Sequence, residues 1–195
     1  MEEKQMEAAE SFALISRMIE NTRNKMERNS GRPFLIWGYT TVIFTLLVCG
    51  LIIYTQDPRW NYLWFGLPIV GGLGMYLTRR AKTEEHAYTF VDRVIGHVWL
   101  VLGLAAWFTA TLSMLAIAQP PILFLIVLLM GIGTTTTGLI IRFTPASIGG
   151  FIGIILAPLM LVVANEWAPA LFIVAFVAMM IIPGHILNYK SNRRV

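Results

Sequence analysis

Six apolar stretches, each near twenty residues and none holding an Asp, Glu, Lys or Arg inside it, leave this chain few ways to fold. They run from Phe34 to Tyr54, Trp60 to Leu77, Val94 to Ala118, Pro121 to Ile141, Ala146 to Ala164 and Ala168 to Leu187. About 20 helical residues cross the ~30 Å hydrocarbon layer of a bilayer. Backbone amides in lipid must find partners within their own segment, so such runs are helices. A barrel strand would alternate in polarity at every second residue, and these runs do not. The expected fold is therefore all-α, a polytopic transmembrane bundle of six spans.

Composition supports the same solvent. Apolar residues make up 56% of the chain and charged residues 13%, against about 25% charged in an ordinary soluble domain. The organisation expected is a cytoplasmic amphipathic helix and linker over residues 1–33, a transmembrane domain over 34–187 and a basic tail over 188–195. The acidic N-terminus, MEEKQMEAAE, lacks the layout of a cleavable signal, so targeting is expected from the first span. The one cysteine, Cys49, lies inside an apolar run and offers neither an internal disulfide nor a metal site.

The breaks between runs carry turn chemistry: TQDPRW, QPP, RFTPAS and NEWAP. Proline in a first helical turn is tolerated, and links this short make sequential neighbours antiparallel. Pro158 and Pro183 fall inside the last two runs. They are read as kinks, with a re-entrant pair as the alternative.

Charge placement sets the orientation. With the N-terminus in the cytoplasm, 14 of the 15 Lys and Arg lie on the cytoplasmic side, and the opposite side keeps only Arg59. That asymmetry is the positive-inside pattern. It accounts for the net charge of +4 without nucleic acid. Both termini are expected in the cytoplasm of a bacterium, the protein lying in its inner membrane. Trp37, Trp60, Trp64 and Trp167 stand near span ends, where interfacial aromatics belong.

Residues 8–26 repeat apolar positions at helical spacing, with Phe12, Ile15, Ile19 and Met26 on one face. The other face mixes both signs of charge, which suits packing on protein. This face is the candidate for self-association or for a cytoplasmic protein partner, alongside docking on the bundle itself.

Several groups in the spans invite chemistry. Arg93 directly precedes span three and His97 lies one turn into it, Arg142 closes span four, and His185 follows Pro183–Gly184 near the end of span six. Ionisable groups in a membrane are costly and point to function by default, although groups near the interface can snorkel. The run GIGTTTTG, with Thr134 and Thr137, is read as helix packing or as the lining of a permeation path. Gly149 and Gly153 form a GxxxG step, and Gly71 and Gly74 a second flat face, both suited to close helix contact. Nucleophile-elbow, zinc-protease and phosphate-loop signatures are absent from the sequence. The expectation is a non-enzymatic protein with no cofactor and no metal, a small transporter or channel being the alternative.

From FALISRMIENTRNKMERNSGRPFLIWGY onward the chain resembles a family of uncharacterised small bacterial inner-membrane proteins. Three motifs carry the resemblance. They are a helix of the form IxxMIxxTxxK from Ile15 to Lys25, LIWGY from Leu35 to Tyr39 at the opening of span one, and PGHIL from Pro183 to Leu187. It covers nearly the whole chain and implies six spans, with no known activity and no established cofactor.

Overall fold

The computed structural model describes residues 31–80, 90–115, 121–163 and 166–192, and is helical throughout its ordered elements. The N-terminal face carrying Phe12, Ile15, Ile19 and Met26 lies outside the described residues. Helix α1 runs Gly31–Thr55. Helix α2 opens as a 3₁₀ stretch, Pro58–Gly66, and continues as an α-helix, Leu67–Arg80. Helices α3 and α4 are Phe90–Met114 and Ile122–Ile140. Helix α5 is Thr144–Leu156 with a 3₁₀ end, Ala157–Leu161. Helix α6 joins Ala168–Phe176 to Ile182–Asn192 through a π turn, Val177–Ile181.

Among the described residues, five helices are long and apolar enough to cross a membrane: α1, α3, α4, α5 and α6. Their surfaces agree with that solvent. None of the apolar window of α3 is buried inside the protein, and Leu100, Val101, Leu104 and Phe108 stand outward.

Proline dictates the irregular geometry. Pro68 has no N–H for the Trp64 carbonyl four residues back, and the Leu67 N–H takes that oxygen instead in a 3₁₀ bond. Pro158 sits in the first turn of the 3₁₀ end of α5. Pro183 cannot donate to Met179, and just ahead of it the Ile182 N–H reaches back five residues to Val177. Both internal prolines therefore change the winding without ending the helix. Pro58, Pro145 and Pro169 occupy first turns, where a missing N–H costs nothing. The α1–α2 turn is fixed by Gln56, left-handed at φ 55°, and by Asp57, whose carboxylate accepts from the Arg59 N–H at 2.9 Å.

Glycines report how the helices meet. A methyl placed on Gly71 or Gly74 of α2 would strike Trp37 or Ile36 of α1. Gly31 and Gly38 of α1 abut Gly184–Asn188 and Met180–Ile181 of α6, in antiparallel register. Gly149 and Gly153 of α5 face Pro183 and Met179 of α6, and Gly150 faces Thr135 of α4. Gly133 of α4 meets Trp99 and Leu102 of α3. Neighbours thus run α2, α1, α6, α5, α4, α3, so the first and last of the described helices touch. The core lies among α1, α4, α5 and α6, where Phe34, Val127, Ala146, Phe172, Phe176, Met179 and Leu187 are buried in one cluster.

Candidate functional site

Helix α4 carries polar groups into this interior. Thr137 donates to the Gly133 carbonyl at 2.8 Å and accepts from Trp99 Nε1–H of α3 at 3.0 Å. This is an interhelical bond in an apolar setting, worth about 1 kcal/mol by analogy with measured membrane cases. Trp99→Phe is expected to lower unfolding stability by about that amount, read in a detergent unfolding titration; a change below the scatter of replicates would count against the bond.

Threonines in these helices generally donate to the carbonyl one turn back. Thr45 bonds Thr41, Thr109 bonds Ala105, and Thr111 bonds Trp107, each at 2.8 Å. Thr134 and Thr135 do not. Both hydroxyl oxygens are sealed from solvent and have no partner among the described residues. Thr134 is fully buried and Thr135 nearly so, at 6% exposed. Thr135 presses on α5: a methyl on Gly150 would lie 2.3 Å from its Oγ1 and 2.4 Å from its backbone nitrogen.

Across α5 the backbone of α6 is itself irregular. The Ile182 N–H is spent on Val177 and Pro183 has none, so neither four-residue donor reaches the carbonyls of Ala178 and Met179. The Ala178 carbonyl points at α5, 2.6 Å from where a Gly149 methyl would stand. Gly149 and Gly150 are consecutive. The Ala178 carbonyl of α6 thus meets α5 at Gly149, and Thr135 of α4 meets it at Gly150.

A second polar feature joins two of the sequence motifs. Tyr39 of LIWGY and His185 of PGHIL share a hydrogen bond, Oη to Nε2, at 2.7 Å, with their rings edge to face at 5.9 Å. Gly184 makes the approach possible, because Leu35 lies 2.9 Å from where its Cβ would be. Both partners are exposed.

The remaining ionisable candidates stand apart from this pair. His97 and Arg93 are exposed on α3, and Arg142 is exposed in the α4–α5 turn. Arg142 is left-handed at φ 53°. The Phe143 N–H returns to Gly138 at 2.8 Å and the Arg142 N–H to Leu139 at 3.2 Å, a helix end that usually takes glycine. Among the described residues no group of three His, Cys, Asp or Glu is placed to hold a metal ion.

Gly149 and Gly153 make the contact with α6, whereas the closest approach of α4 to α5 belongs to Gly150 and to Gly138, whose methyl would lie 2.4 Å from the Ser147 nitrogen. Tyr39, Trp99 and Gly150 are the residues that reading the sequence left out. Only the short motifs around Tyr39 and Gly150 gave any sign of them. Comparison with known protein families, with curated proteins and with solved structures finds no match for this chain.

Proposed function

We propose that the chain is a non-catalytic protein of the bacterial inner membrane, crossing it six times, whose cytoplasmic N-terminal helix grips a second copy or a cytoplasmic protein. The α1–α6 crossing carries this reading. Residues 8–26 lead into α1 at Gly31, where a methyl would lie 3.2 Å from the Asn188 nitrogen and the Gly184 carbonyl. A partner held by Phe12, Ile15, Ile19 and Met26 would thus pull on both ends of the chain at once. The resemblance to small six-span membrane proteins supports the topology.

Helix α2 is the sixth span in this reading. Nine 3₁₀ residues and fourteen α-helical residues extend about 39 Å at ~2.0 and ~1.5 Å per residue, more than the hydrocarbon layer. With α2 counted, 14 of the 15 Lys and Arg fall on one side, Arg59 being the exception. In a Cys49→Ala background, Gln56→Cys is expected to react with an impermeant maleimide from the periplasmic side, and Asn192→Cys only after the membrane is opened. The opposite pattern at either position removes the topology.

Deletion of residues 1–28 tests the docking role. Self-association or partner capture, followed by crosslinking through residues 8–26, is expected to disappear while the bundle still assembles. Capture that survives the deletion overturns the reading. The second reading, a small transporter or channel, draws on the unpartnered Thr134 and Thr135 hydroxyls.

A further inference from the structure

The seam between α1 and α6 ends in polar groups. Tyr39 Oη and His185 Nε2 share their hydrogen bond across it at 2.7 Å, and both side chains are exposed. Arg32 belongs to the same place. Gly31 lies against Gly184 and Asn188, and Gly184 against Phe34 and Leu35. His185 is therefore level with the first turn of α1, which holds Arg32. Seven residues separate Arg32 from Tyr39, two turns to within about 20°, so the two share a face. Long helical side chains lean toward the N-terminus of their helix, and Tyr39 reaches His185 in that direction. Arg32 is exposed as well.

That face is open. Helix α1 turns Ile36 and Trp37 to α2, and Gly31 and Gly38 to α6. Along the Tyr39 line Ile43 and Leu46 stand outward, and a methyl on Gly50 would meet nothing within 4 Å. On α6, Ile182 stands outward one turn before His185. In a membrane such a face is covered by lipid. An apolar track runs along the seam and finishes in polar groups at the span ends, which is the layout of a phospholipid, chains first and headgroup last.

The polar end supplies donors. In either tautomer of His185 one proton fills the shared bond and one more remains. It is Nδ1–H when the phenol donates, and the phenol O–H when Nε2–H donates. Arg32 adds a fork of N–H donors that matches phosphate oxygens. Helices α1 and α6 contain no Asp or Glu, so neither offers a carboxylate to the ammonium of a zwitterionic headgroup. We propose that Arg32, Tyr39 and His185 bind the headgroup of an anionic phospholipid of the phosphatidylglycerol class, its chains lying along Ile43, Leu46 and Ile182. The site rests on the membrane-spanning reading above, and the orientation decides only which leaflet supplies the lipid.

The test places the full chain in phosphatidylcholine nanodiscs. Each preparation carries phosphatidylglycerol, phosphatidylethanolamine or phosphatidylcholine with a spin label on its acyl chain. The share of label immobilised by the protein, read by electron paramagnetic resonance, gives relative affinity. Phosphatidylglycerol is expected to bind about fivefold more tightly than the other two, the increment of one arginine at an anionic headgroup. Arg32→Gln is expected to remove that preference, and Tyr39→Phe with His185→Leu to weaken it. Arg59→Gln, the same loss of charge at the opposite end of the spans, is expected to keep it. Equal immobilisation of the three lipids by the wild type overturns the site, as does a preference that survives Arg32→Gln. Displacement of the labelled lipid by inorganic phosphate overturns it too, because the ligand would then be a free anion. Should Arg32→Gln fail to fold, the wild-type series and the Tyr39–His185 double variant decide. Both faces of a nanodisc meet the same buffer, so an inverted topology would show in the maleimide labelling and leave the lipid preference unchanged.

Discussion

Gly150→Ala is expected to destabilise the bundle by about 3 kcal/mol, whereas Gly103→Ala should leave it unchanged or slightly firmer. The two substitutions add the same methyl to two helical glycines. At Gly150 it would stand 2.3 Å from Thr135 Oγ1 and 2.4 Å from the Thr135 nitrogen, and at Gly103 nothing lies within 4 Å. A flexible side chain could swing clear, but the Thr135 nitrogen is fixed in a helix, so α4 and α5 must separate. Separation also pulls Gly131 from Ile154, and Gly138 from Ser147, along the same seam. At Gly103 only the helix preference of alanine remains, worth up to about 1 kcal/mol. Equilibrium unfolding in mixed micelles measures both. Equal effects from the two would mean that the α4–α5 seam is not a close contact.

Phe172→Ala is the second large effect, about 2 kcal/mol. Phe172 is 2% exposed, its ring edge to face with Trp64 of α2 at 6.0 Å and tilted against Phe176 at 4.7 Å. In a water-soluble core the change would cost about 3–5 kcal/mol, part of it for transfer of the ring from water. Lipid is as apolar as the core, so that part falls away and lost packing contacts remain. The variant should also loosen α2, which Trp64 ties to α6. Tryptophan emission during unfolding reads both, and a variant as stable as wild type would show that Phe172 holds nothing.

The helices were legible because lipid imposes length. The expected span Phe34 to Tyr54 became Gly31–Thr55, and Ala168 to Leu187 became Ala168–Tyr189. The span from Trp60 to Leu77 is helical, but its first part, up to Gly66, is wound as 3₁₀, and it is not among the five helices long and apolar enough to cross a membrane. Pro158 and Pro183 were legible as irregularities. Their forms, a tightened end and a π turn, depend on which carbonyls neighbouring turns can reach.

The candidate site was less legible. A GxxxG step announces a flat face without naming what lies on it, and Gly150 matters only because α4 arrives there. Four consecutive threonines look alike in sequence. Burial and rotamer separate Thr137, bonded to Trp99 and Gly133, from Thr134 and Thr135. Tyr39 and His185 are 146 positions apart, and no local pattern joins them.

The contact between the first and last helices sets the order of biogenesis. While the ribosome is still making α2 to α5, the face of α1 that carries Gly38, Thr41 and Thr45 has no permanent neighbour. It stays open to membrane chaperones and to proteolysis until α6 has been made. A nascent chain stopped before Ala168 would therefore be a substrate for quality control, although most of its helices had already been inserted.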